Sequence, residues 1–336
     1  MTYASEFRKN AYKIFSEEII PIAKKFESER IKILKNARLF SLAGGILTFF
    51  IVLSFFAIAI LPEYLAATFK SILPLLFLPL LFIPLWIYNI KKDFEIKVKE
   101  QIFPVVLRSL GNFEWCQVNI DMHRYDKVKH SGLFYGIFKK AYPDTNPNGI
   151  NNKVFIHDDD VFTGSYKDID ITITDTELSY DGDKFFQGII ISLETPKLYK
   201  GTTIVQQNTL LRKTYFRKWR YDEIAPYLEQ VNLEDSGFMK QFSVYATDQV
   251  EARYILTPSF MERLKQVSFA FDAKQTDLCI VNNMVWLAIK TNKDMFKLGT
   301  LTKSVYNFKE FQTTMNEITS ILELIDELNL DVNVGL

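Results

Sequence analysis

Five cations and four aromatics share the ten residues Arg212-Lys213-Thr214-Tyr215-Phe216-Arg217-Lys218-Trp219-Arg220-Tyr221. Basic groups attract anionic headgroups, while Trp and Tyr favour the boundary between water and hydrocarbon. Arg212, Lys213, Tyr215, Phe216, Arg217, Lys218, Trp219 and Arg220 therefore form a candidate lipid-facing edge. Arg, Trp and Tyr are also frequent anchors of protein interfaces, so an acidic partner surface is a second reading. An exposed loop and strand edge, blunted against aggregation by its Lys and Arg, is the third.

Other clusters point less clearly to chemistry. Asp248, Glu251, Arg253 and Glu262 could form a charged ligand site. Their spacing fits better with a helix cap and ion pairs that fix one helix against a sheet. His157-Asp158-Asp159-Asp160 invites a cation, yet consecutive carboxylates point apart in a strand or turn. The run also lacks the spaced ligands and glycine of a calcium loop, and it reads as a solvated turn before a strand. His123 and His130 flank Asp121 and Asp126, but the chain has only three histidines and no pair at helical metal spacing. No nucleophile elbow, phosphate-binding loop or dinucleotide fingerprint occurs. Neither a catalytic residue, a metal nor a cofactor is expected. Cys116 and Cys279 sit far apart in apolar surroundings and read as reduced, buried residues.

The elements that would position these groups begin with two apolar runs. Leu39–Leu61 and Ser71–Ile90 contain no charged residue. At about 1.5 Å rise per residue, each is long enough as a helix to cross roughly 30 Å of hydrocarbon. The first starts too deep in the chain for a signal peptide. The short link Pro62–Lys70 makes the two a transmembrane hairpin over residues 39–90. Lys24, Lys25, Arg30, Lys32, Lys35 and Arg38 precede it, and Lys91, Lys92, Lys97 and Lys99 follow. That excess of cations orients both termini toward the cytoplasm. Pro74, Pro79 and Pro84 should kink or loosen the second span. Gly44-Gly45 offers a place for the two helices to approach closely.

Residues 1–38 read as a juxtamembrane helical segment, broken or bent at Pro21. Residues 91–336 read as a cytosolic α+β domain of mainly antiparallel strands with helices, divisible into subdomains of about 112–225 and 226–336. This region has thirty Lys and Arg against thirty-four Asp and Glu, which argues against a nucleic-acid binder. After a helix over Lys91–Ser109 and the loop Tyr142–Gly149, the period changes to two. Ile169, Ile171 and Ile173 then share one strand face, and Asp181-Gly182-Asp183 makes a hairpin turn. Strands follow at Lys184–Leu193, Gly201–Gln207, Tyr227–Leu233 and Phe238–Tyr245. Asp248 caps one helix, and Thr257-Pro258 starts another. Leu278–Asn282 and Met284–Ile289 form a hairpin. A last helix from about Asn307 aligns Phe308, Phe311, Met315, Ile318, Leu322 and Ile325 as a core stripe or, alternatively, a partner-helix seam.

The block Phe238–Leu264 resembles the segment that marks a family of bacterial two-transmembrane-helix membrane proteins of unknown function. Phe185-Phe186-Gln187-Gly188 and Gly201-Thr202-Thr203-Ile204-Val205 are similar to its preceding strands. The resemblance implies an N-terminal helix, a transmembrane hairpin and a mixed cytoplasmic domain, and it carries over no site residues.

Together these readings describe a multi-pass protein of the bacterial inner membrane. Its cytosolic domain is expected to be a scaffold that binds a membrane-protein partner, a second copy of itself or anionic lipid. A membrane-surface enzyme with an unrecognised site is the rival class, and a homo-oligomeric channel is the third.

Overall fold

A computed structural model describes residues 10–58, 60, 62–110, 112–118, 123–134, 154–208, 228–293 and 295–330 of the 336. Two compact units emerge. One is helical, Lys13–Ile102 with Leu298–Glu310; the other holds chiefly Phe103–Lys297 and Phe311–Leu336.

In the helical unit, α1 (Ile20–Ile58) follows a π-helical turn over Phe15–Ile19 without a break. The expected break at Pro21 is therefore corrected. Proline lacks an N–H and crowds the carbonyl four residues back. The Ile20 N–H donates instead to the Phe15 carbonyl, five residues back, and this wider turn absorbs the misfit. Helix α2 spans Glu63–Leu110 and stays helical through Pro74, Pro79, Pro84 and Pro104. The expected link Pro62–Lys70 is largely its first two turns, since no proline or glycine follows Pro62 and Ala66-Ala67 favour helix.

Contacts between α1 and α2 run in antiparallel order. Phe26 meets Phe94 edge-on with ring centroids 6.2 Å apart, and Phe40 meets Trp86 at 4.7 Å. Glu29 lies 3.8 Å from the Lys97 ammonium. At Gly44 an added Cβ would stand 3.3 Å from Ile83, whereas at Gly45 it would meet nothing within 4 Å. Close approach thus depends on one glycine of the pair. Segment 298–310 is tied to α1 through Glu27, which accepts from Arg30 Nε and Nη2 (3.0 and 2.6 Å) and from the Val305 N–H at 3.0 Å. The Arg30 hydrogen bond chiefly holds the Glu27 carboxyl below the usual carboxylate range.

The second unit is built on one antiparallel sheet. Its strands are β1 (Asn112–Cys116), β2 (Val154–Tyr166), β3 (Ile169–Tyr180), β4 (Asp183–Glu194), β5 (Thr203–Gln207), β6 (Glu229–Val231), β7 (Phe242–Ala246), β8 (Gln275–Val281) and β9 (Met284–Lys290). They lie in the order β1-β2-β3-β4-β9-β8-β5-β7-β6. Strands from both sides of residue 226 thus share a single sheet. Ile169, Ile171 and Ile173 are all buried on one face of β3, as the alternation requires. The β3–β4 turn puts Asp181 and Gly182 at φ 54° and 90°, the two positive values that a tight hairpin with right-handed twist needs.

Among the described residues, five helices accompany the sheet: α3 (Arg124–His130), α4 (Ser236–Gln241), α5 (Gln249–Ile255), α6 (Pro258–Ala270) and α7 (Phe308–Leu330). The strand expected over Phe238–Tyr245 is half helix, because Asp235 accepts from the Phe238 N–H and starts α4 before β7 begins. Phe238 then stacks on Phe242 at 4.6 Å. The other caps fall where the sequence puts them. Asp248 accepts from the N–H groups of Val250 and Glu251, and Thr257 accepts from that of Phe260 with Pro258 at the first helical position. Phe311, Met315, Ile318, Leu322 and Ile325 are buried, so the stripe on α7 is core.

One sheet face carries Ile190, Trp286, Ala288, Cys279 and Ile204, packed with Val128, Leu133 and Phe134. The register places Ile189, Ile191, Leu287, Ile289 and Leu278 on the other face, and all of them are buried. Helix α6 meets that face through Ser268 Oγ, which donates to Thr276 Oγ1 at 2.8 Å.

Gly188 in β4 has φ 147°, and a Cβ there would stand 2.0 Å from the Ile289 carbonyl oxygen. Only glycine lets the β4 and β9 backbones meet this way. Gly188→Ala should cost at least about 2 kcal/mol in detergent unfolding of the full chain. Gly45→Ala, with open space around it, is the control expected to leave stability within about 1 kcal/mol.

Candidate functional site

The described residues singled out by sequence each have a partner in the fold. Asp248 is a helix cap. Glu251 accepts from the backbone N–H groups of Lys200 and Gly201 at 3.0 and 2.8 Å, clamping the connection into β5. Arg253 donates back to the Gln249 carbonyl and side chain at 3.1 and 3.2 Å. Glu262 pairs with Lys265 at 2.8 Å on the next helix. His123 accepts from the Lys127 N–H through its carbonyl, and His130 Nδ1 lies 2.8 Å from the Asp126 carbonyl oxygen. Cys279 is buried, whereas Cys116 is half-buried and its thiol donates to the Val118 carbonyl at 3.3 Å. Arg212, Lys213, Tyr215, Phe216, Arg217, Lys218, Trp219 and Arg220, with the loop Tyr142–Gly149, lie outside the described residues.

The acidic run requires a correction. It lies inside β2 at a bulge, where pairing passes from Asp159 to Val161 and leaves Asp160 extra at φ 37°. The bulge brings both Asp158 and Asp160 inward, and they are 8% and 2% exposed. Asp158 accepts from Arg124 Nε at 2.9 Å and from Thr176 Oγ1 at 2.7 Å, while Arg124 Nη2 donates to Thr176 Oγ1 at 3.1 Å. Asp160 accepts from Trp115 Nε1 at 2.9 Å. Sequence inspection missed this network, because Arg124 stands 34 positions from its partner.

Polar side chains also enter the core on α7. Glu323 accepts from Arg263 at 3.1 Å, and Asp326 from Tyr166 Oη at 2.8 Å and from Lys167 at 2.6 Å. Glu317 is 4% exposed, and among the described residues its Oε2, like Asp326 Oδ2, has no hydrogen-bond partner. Burial pushes the Glu317 carboxyl up to about 8, against the opposing pull of the Phe296 N–H and Lys293, with Asp175 adding to the rise. Its sequence signal is an acid placed one residue before Ile318 of the apolar stripe.

Helices α6 and α7 flank a groove of about 850 Å³. Glu262, Lys265 and Gln266 line it from α6, and Thr313, Asn316 and Ser320 from α7. Arg263 and Glu323 form an ion pair in its wall, and Phe269, 88% exposed, stands in its lining. Such a groove offers donors, acceptors and one exposed aromatic side chain. Among the described residues, no three His, Cys, Asp or Glu side chains gather as a metal site.

Residues 184–330, from β4 to the end of α7, match the family described as "Protein of unknown function (DUF3137)". The match contains the 238–264 block, the groove and Glu317. No curated protein matches the chain. Among solved structures, the mycobacterial trehalose monomycolate transport factor A, TtfA, is similar at 12% identity and a TM-score of 0.27. That alignment covers 50% of this chain and 74% of the other, and at such a score it carries no argument.

Two outcomes follow for the buried charges. Arg124→Ala takes the cation from the buried Asp158 and leaves it Thr176 Oγ1 as a hydrogen-bond donor, and should cost about 3–5 kcal/mol in unfolding. Replacing both partners (Arg124→Met with Asp158→Leu) should cost much less than the single change. For Glu317, the folded value near 8 exceeds the ordinary 4.5 of the unfolded chain, so the folded state holds the proton between them. Its contribution is therefore intact below the unfolded value and falls as pH rises toward the folded one. Relative to the native chain, Glu317→Gln should gain on the order of a few kcal/mol between about pH 5 and about pH 8. Thermal unfolding at the two pH values measures this.

Proposed function

We propose that this chain is a membrane-anchored scaffold, held by a two-helix transmembrane hairpin and offering its sheet domain to a partner on the cytoplasmic side. The observation that carries the reading is the surface of α1. Leu39, Leu42, Phe49, Phe50, Phe55 and Phe56 are all more than half exposed. Soluble proteins rarely leave so continuous an apolar stripe to water, whereas hydrocarbon accepts it. The stretch Asn10–Phe56 is one helix long and apolar enough to cross a membrane.

Three further features support a hairpin. Helix α2 runs antiparallel to α1 and exposes Phe82, Leu85 and Tyr88. Phe40 against Trp86 lies near the charged ends of both apolar runs, where aromatic residues favour the membrane boundary. Around Pro84, α2 has α1 as a neighbour, with Ile83 against Gly44 and Trp86 against Phe40, which suits a helix in a medium without water. Cations before Leu39 and after Ile90 favour cytoplasmic ends. The α6–α7 groove is the surface for a protein partner, since it combines an exposed aromatic with polar walls.

The first test is topology. The native chain should resist alkaline carbonate extraction. In a Cys116→Ser, Cys279→Ala background, Pro62→Cys should react with an impermeant maleimide in intact cells, and Lys274→Cys only after permeabilisation. Release by carbonate would overturn the anchor, and the reverse labelling pattern would overturn its orientation.

A further inference from the structure

We propose that the charged end of α1 holds one anionic phospholipid, its phosphate on Lys35 and Arg38 and an acyl chain along Leu42, Gly45, Ile46 and Phe49. This rests on the membrane-anchor reading and names a ligand for it. Ile31, Leu34, Lys35 and Arg38 recur at helical steps of three and four, so they form one face of α1. With Arg30 they line a hollow of about 350 Å³. Arg30 is committed there, bound to Glu27 and donating to the Leu301 carbonyl at 2.9 Å. Lys35 and Arg38 are exposed and make no ion pair among the described residues.

The same face continues upward in apolar form. Leu42 is 64% exposed, Ile46 49% and Phe49 64%. Gly45 lies between them, and a Cβ there would meet nothing within 4 Å, so the stripe carries a notch. From Arg38 to Phe49 the helix rises about 16 Å, close to the depth of one leaflet of roughly 15 Å. Two cations at the water boundary, with a notched apolar track one leaflet deep beyond them, match the two ends of an anionic lipid. Competing acids nearby are already engaged, Glu27 by Arg30 and Glu29 by Lys97. A zwitterionic lipid would fit the track but would bring its own cation to Lys35 and Arg38.

The test uses the full chain in nanodiscs of equal phosphatidylcholine and phosphatidylglycerol, with retained lipid counted by native mass spectrometry after detergent transfer. The native protein should keep phosphatidylglycerol over phosphatidylcholine by about tenfold. Lys35→Gln with Arg38→Gln should abolish that preference. Lys24→Gln with Lys25→Gln removes the same charge further along the helix and should preserve it. Equal loss in both variants would reduce the effect to general electrostatics and overturn the site. Loss of the preference in excess inorganic phosphate would mark a free-anion pocket and overturn the lipid assignment. A native protein that resists carbonate yet shows no preference overturns this site alone. One that carbonate releases overturns the anchor and the site together.

Discussion

The pairing of β4 with β9 is the constraint on which the sheet domain rests. Seven residue pairs, from Gly188↔Lys290 to Glu194↔Met284, join segments about a hundred positions apart. Without that seam the β2-β3-β4 meander would end in an open edge, and β9 would have β8 as its sole partner. The three isoleucines Ile189, Ile190 and Ile191 explain why the seam is stable: all are buried, so both faces of the strand are covered there. Gly188 sets how closely the two backbones meet. Loop closure over so long a separation costs entropy before the contacts repay it, so this pairing should form late in folding.

Around that seam the domain buries several charges. Arg124 with Asp158, Arg263 with Glu323, and Lys167 with Asp326 each pair a cation with a carboxylate inside or at the edge of the core. Ion pairs of this kind add little net stability, yet they penalise any packing that separates the partners. Glu317 follows a different logic, since among the described residues it makes no ion pair, and burial raises its carboxyl to about 8. The core of α7 is thus specified by polar matching as much as by its apolar stripe.

Much of the architecture was legible before any tertiary contact. The alternation at Ile169, Ile171 and Ile173, the positive-φ turn at Asp181-Gly182 and the caps at Asp248 and Thr257 are local devices, decided within a few residues. Errors arose where a local rule met a wider one. Pro21 should end a helix, but a π turn one step earlier accommodates it. Three consecutive aspartates should face water, but a bulge turns two of them inward toward Arg124 and Trp115. Phe238 has a strand-like side chain, but Asp235 caps its N–H and wins locally.

What the sequence determined by itself is the uncharged length of its apolar runs, the cations flanking them and the period of its elements. These are one-dimensional properties, because solvation and backbone propensity act residue by residue. Tertiary structure alone decided that strands from both halves interleave in one sheet and that Gly44, not Gly45, meets α2. It also decided that Arg124 finds Asp158, and that Glu317 is sealed from water. Each of those depends on which distant groups share a neighbourhood, and spacing along the chain does not encode that.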